Sequence, residues 1–157
     1  MAISKTDAVQ DELAVIRLLN RYTNAVNRRD WATLGDVFCA DGIWDVGGPE
    51  AGQWGYLFKG REQVVAGLRE LFASLEFLIQ TNSAVVVTVD GDRATVSSTG
   101  QETMRPKGST EGMMLLGMYT DDIVREGDGA WRFAKRSFRY TYIETTPLSG
   151  TVLTHFS

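Results

Sequence analysis

The sequence predicts an α+β fold: a curved antiparallel sheet packed on three helices, in a single domain over residues 1–157. Three observations carry this. Apolar residues recur at helical spacing in the first half of the chain. From Phe77 onward the period changes to that of long strands. Those strands are punctuated by short glycine- and aspartate-rich turns, the connections of antiparallel hairpins. The order α-α-β-α-β-β-β-β places the helices early and four consecutive strands late. Long, bent strands closed by helices would leave a cone-shaped cavity.

Each element has a local reason. Asp7 followed by Gln10 resembles a capping box. Val15, Leu19, Tyr22 and Val26 then form one apolar stripe of an amphipathic helix. Asn27-Arg28-Arg29 ends it, and Asp30 can cap a second helix carrying Leu34, Val37 and Phe38. Ala40-Asp41-Gly42 is a turn and Ile43–Val46 a short strand. Gly47–Gly60 reads as a glycine-rich loop holding Trp54, Tyr56 and Phe58, which would fold over a cavity mouth or pack on another subunit. Arg61–Leu75 is the third helix, with Val64, Leu68, Leu71 and Leu75 on one face. The long strands are Phe77–Val89, Arg93–Met104, Gly112–Arg125 and Trp131–Thr145, and Pro147–Ser157 is a tail.

Composition excludes several function classes. The 157 residues carry a net charge of −4 and no basic run longer than two, which argues against nucleic acid or an anionic membrane as partner. No apolar run approaches membrane-spanning length, and the N-terminus lacks the apolar core of a secretory signal. A single cysteine, Cys39, fits a reducing cytoplasm and reads as a small buried hydrophobe. One histidine and no clustered ligands give no metal site, and no glycine-rich phosphate loop follows a strand, so no cofactor is expected.

The head RYTNAVNRRDWATLGDVFCADGIW and the late stretch DGAWRFAKR resemble the SnoaL-like branch of the NTF2-like superfamily, over nearly the whole chain. The resemblance implies a cone-shaped α+β barrel. It also implies cofactor-independent chemistry on small hydrophobic molecules, in dimers or trimers. The lyases most alike are of the hexachlorocyclohexane dehydrochlorinase and bile-acid dehydratase types. They pair an aspartate at the end of the first helix with a histidine on the strand after the third. Here those positions fall on Asn27 and on Leu78, or on Gln80 at a looser register, so the acid–base pair is missing. Tyr22, Arg136, Trp44 and Tyr119 fall on pocket positions of that branch.

The remaining polar residues are weighed on their own chemistry. Tyr22 is either a core tyrosine or a hydrogen-bond donor to a substrate oxygen. Asn27 cannot take a proton and reads as a left-handed helix end or an orienter of a ligand. Asp45 alternates with Trp44 and Val46, so it points away from the cavity. Asp121 shares the parity of Tyr119, with Arg136 as its natural cross-strand partner. Arg136, Phe138, Tyr140 and Tyr142 share one strand face, suited to an aromatic or oxygenated substrate. His155, in the tail, is solvated or lies over the cavity. The chain is thus expected to be a lyase or isomerase acting by proton abstraction and elimination. The catalytic candidates are Tyr22, Arg136, Asp121 and His155, and the binding candidates are Asn27, Trp44, Gln80, Tyr119, Phe138 and Tyr140. A binding protein that lost the acid–base pair, and an epoxide hydrolase or cyclase, are the alternatives.

Overall fold

Four long strands joined by tight turns dominate the architecture, and the computed structural model describes residues 5–153. The chain order is α1 (Lys5–Arg28), α2 (Trp31–Asp36), β1 (Phe38–Val46), a 3-10 turn (Pro49–Trp54), β2 (Tyr56–Lys59) and α3 (Arg61–Ala73), followed by β3 (Leu75–Asp90), β4 (Arg93–Pro106), β5 (Glu111–Arg125) and β6 (Trp131–Pro147). The strands form one open six-stranded sheet in the order β2-β1-β6-β5-β4-β3. The helices cover one face, and the fold is α+β as expected.

Several local expectations need correction. The sheet is mixed, because β1 lies parallel to β6. The loop after β1 holds a further strand, β2, which pairs antiparallel with β1. Phe38 opens β1 and does not belong to α2. Asp7 lies inside α1, which already runs at Lys5, so it is not the cap. The left-handed residue at the end of α1 is Arg29 (φ 55°), not Asn27. The helix end is closed by backbone bonds from the Arg29 and Asp30 N–H groups to the Val26 and Ala25 carbonyls, and the Arg29 side chain donates from Nη2 to the Leu75 carbonyl at 2.8 Å. Asp30 does cap α2, accepting from the Thr33 N–H at 3.0 Å and its hydroxyl at 2.7 Å.

The core forms where the α1 stripe meets the sheet. Val15, Leu19, Tyr22 and Val26 are buried against Val96, Tyr119, Ile123, Phe133 and Phe138, with Val64 and Leu68 of α3 alongside. β5 and β6 fall out of step between Leu116 and Gly117, so Gly117 pairs with Tyr140 and Leu116 with Tyr142. The extra residue, Thr141, is a bulge that turns the following side chains over. Tyr142 therefore leaves the face of Arg136, Phe138 and Tyr140 and is 47% exposed.

Gly100 and Gly117 are cross-strand partners on the inner face. Their missing side chains make room for the rings of Tyr119 and Phe138, which meet tilted at 38° with 4.5 Å between centroids. A methyl group at Gly117 would press on the Arg139 carbonyl oxygen and the Phe138 ring. Gly117→Ala is therefore expected to lower the unfolding free energy by about 1–3 kcal/mol, the usual cost of overpacking, as measured by chemical denaturation.

Candidate functional site

A cavity of about 330 Å3 opens between the helices and the inner face of the sheet. Alternation along β1 turns Trp44 and Val46 into it and Asp45 away. Asp45 pairs on the other face with Arg139 at 2.8 Å and Lys135 at 3.4 Å. The aromatic loop closes one side: Trp54 and Tyr56 line the cavity, and Phe58 stacks on Trp44 at 5.8 Å. These rings pack within the chain, while Leu57 between them is 55% exposed. Tyr22 and Val26 come from α1, Leu71 and Phe72 from α3, and Leu78, Gln80, Glu102, Met104, Leu115 and Tyr140 from the sheet.

Among the described residues lining this cavity, Glu102 is the only charged side chain, and no lysine or arginine is among them. The strand register sets it beside Gln80 and Leu115 on the inner face. Its Oε1 accepts from Gln80 Nε2 at 2.6 Å and from the Tyr119 hydroxyl at 3.3 Å. No partner holds Oε2 among the described residues. Burial pushes the Glu102 carboxyl above the ordinary value of 4.5, while Gln80, Tyr119 and Arg136 pull it back.

Gln80 is itself held in place. The Asn27 side chain donates to the Gln80 carbonyl at 2.9 Å and accepts from the Gln80 N–H at 2.7 Å. This two-point clamp ties the end of α1 to β3, so Asn27 acts on the backbone of Gln80 and does not line the cavity. Tyr22 accepts from Trp44 Nε1 at 2.9 Å. Its own hydroxyl proton has no acceptor among the described residues. Burial pushes the Tyr22 hydroxyl up to about 12, so it stays protonated and able to donate.

Arg136 and Asp121 lie behind the wall and not in the cavity. Both are fully buried and paired at 2.6 Å across β5 and β6. The guanidinium sits 3.8 Å from the Tyr119 ring, 4.3 Å from Tyr22 and 4.9 Å from Phe133, enclosed by aromatic faces. Burial pushes Asp121 up to about 6 against the pull of Arg136. Tyr119 and Phe138 are not among the described lining residues; the Tyr119 hydroxyl bonds to Gln80 and Glu102 behind them, and Phe138 packs against its ring. Trp44, Gln80 and Tyr140 line the cavity. His155 lies outside the described residues. The tail before it runs onto the opposite face of the sheet, where Arg105 donates to the Leu148 and Gly150 carbonyls and to Glu76.

The residue that sequence reasoning passed over is Glu102. A signal for it existed. In GQETM the glutamate shares strand parity with Val96 and Ser98, and this is the inward parity of β4. Cys39 is buried, and burial pushes its thiol up to about 11, which leaves it unreactive. Among the described residues no group of three possible ligands could hold a metal ion, and no helix is long and apolar enough to cross a membrane.

Residues 7–137 match the SnoaL-like domain. Among similar solved structures, LinA is 22% identical over 99% of both chains, with a TM-score of 0.79. Hexachlorocyclohexane dehydrochlorinase LinA-type3 from Novosphingobium barchaimii is 20% identical, over 96% of this chain and 99% of that one, with a TM-score of 0.79. A scytalone-dehydratase-like protein from Novosphingobium aromaticivorans is 19% identical, over 94% and 93%, with a TM-score of 0.76. At these identities the likeness concerns the fold. No curated protein matches the sequence.

The buried ion pair generates a stability prediction. Asp121→Ala strands the Arg136 charge in an aromatic cage and should cost about 3–5 kcal/mol by chemical denaturation. Replacing both partners with apolar residues of similar volume should recover most of that loss.

Proposed function

Because the chain belongs to the SnoaL-like domain family, we propose that it is a cofactor-independent lyase or isomerase acting on a small aromatic or alicyclic molecule. One observation carries this reading: a half-buried carboxylate, with no partner on one oxygen among the described residues, beside Gln80 on the floor of a mostly apolar cavity. That arrangement raises the basicity of Glu102 and removes water that would compete for its proton. Glu102 Oε2 takes a proton from a carbon beside an activating group. The electron pair then forms a double bond as a leaving group departs, or the proton returns at another carbon. The Tyr22 hydroxyl donates to the oxygen on which negative charge develops. Arg136 and Asp121 act through the rings that separate them from the ligand and touch no reacting atom.

A second reading, a binding protein without turnover, is favoured by Asn27 and Leu78. They stand where the resembling lyases carry their acid–base pair. A ligand that raises the melting temperature with no turnover across a panel of elimination and isomerisation substrates would select it.

The reaction is followed as absorbance of the new double bond. Glu102→Gln should reduce turnover by at least about 100-fold, and Tyr22→Phe by about 10- to 100-fold. Unchanged turnover in Glu102→Gln would sink the assignment. The base works only as the carboxylate, so kcat/KM should rise with pH, with its inflection above 4.5. The same shift has a stability counterpart. A carboxyl whose folded pKa is raised contributes most while protonated, and that contribution falls as pH rises from 4.5 through the folded value.

A further inference from the structure

The polar floor of the cavity is rich in acceptors. Gln80 is 3% exposed, and its partners fix which way its amide faces. Nε2 lies 2.6 Å from Glu102 Oε1 and 2.5 Å from the Tyr119 oxygen, which occupies both of its N–H groups. A flipped amide would turn its carbonyl onto a carboxylate. Gln80 Oε1 is therefore the free atom, and it is buried without a hydrogen-bond partner. Glu102 Oε2 is free as well. Two acceptors, one of them charged, thus sit on neighbouring side chains that line the same space.

The chemistry of the missing donor follows. A ketone has no proton to give, and a hydroxyl has one. A carboxylate would bring a second negative charge to a cavity with no cationic side chain among its described lining residues. A protonated amine brings three donors and the opposite charge. The remaining walls suit that charge, because Trp44, Trp54, Tyr56 and Tyr140 present aromatic rings, whose faces attract cations. We infer that the cavity takes molecules bearing a primary ammonium group on a cyclic apolar body. The head rests on Glu102 Oε2 and Gln80 Oε1, and the ring rests among the tryptophans and tyrosines. The inference rests on the reading that Glu102 faces the ligand; an ammonium head on Oε2 occupies the atom that would take the carbon proton, so these molecules are ligands of the cavity and not substrates of the proposed elimination.

Titration calorimetry on the full chain at neutral pH tests it with three probes of similar size: benzylamine, benzyl alcohol and benzoate. Benzylamine, protonated at that pH, should bind at least about ten-fold tighter than the alcohol, the return of one charge-assisted hydrogen bond. Benzoate should bind weakest. In Glu102→Gln the lead of the amine over the alcohol should fall to about two-fold or less. The inference is overturned if the alcohol or benzoate matches the amine, if the lead survives in Glu102→Gln, or if no probe binds at millimolar concentration. Should that variant not fold, the order of the three probes on the unaltered protein decides the matter. Turnover is read separately. An amine lead without turnover of any substrate defeats the proposed reaction and leaves this inference standing. Turnover of neutral substrates with no amine lead does the reverse.

Discussion

The buried pair of Arg136 and Asp121 is the constraint around which the interior is arranged. A guanidinium without water must find both an opposite charge and polarisable surroundings. Asp121 supplies the first at 2.6 Å, and the rings of Tyr119, Tyr22 and Phe133 supply the second. These five residues come from three elements: Tyr119 and Asp121 from β5, Phe133 and Arg136 from β6, and Tyr22 from α1. Satisfying one charge therefore fixes the distance between the first helix and the two central strands. Two of those rings also serve the site: Tyr22 lines the cavity, and the Tyr119 hydroxyl bonds to Gln80 and Glu102. The stability of the core and the placement of the site's donors are one arrangement.

A second line of contacts runs from the helix end to the carboxylate. Asn27 clamps the backbone of Gln80, Gln80 holds Glu102 Oε1, and Tyr119 joins both. Each step is a hydrogen bond between groups with little freedom to turn, which is how a site holds a base in a fixed direction. Asparagine suits the first step better than aspartate, since it must donate to a carbonyl and accept from an N–H together.

Much of the fold was legible because it rests on local rules. The stripe Val15, Leu19, Tyr22 and Val26, the Asp30 cap and the VDGD hairpin each follow from a few neighbouring residues. What escaped depends on long-range pairing. The parallel partnership of β1 with β6 has no local signature, and neither does the bulge that turns Tyr142 outward. The site was legible in part for the same reason. Trp44, Gln80 and Tyr140 carry the right parity on their strands and line the cavity. Arg136 and Asp121 carry it too, but parity says only which face a residue takes, not how deep along the sheet the cavity reaches. Glu102 was passed over because a charged residue in a polar strand stretch resembles an exposed one until its register with Gln80 is known.

The parallel pairing of β1 with β6 also bears on how the chain folds. β3 to β6 are joined by tight turns and need only short loops to close. Phe38, by contrast, meets Phe133, and Val46 meets Phe138, across most of the length of the chain. Closing so long a loop is entropically slow and is rewarded only once β6 is in place. The meander therefore has the lower closure cost, and the head of the chain supplies the longer-range pairing. The walls of the cavity are shared between the two. The cavity thus depends on a strand pairing that spans most of the chain, so anything that weakens the pairing of β1 with β6 acts on the site as well as on the fold.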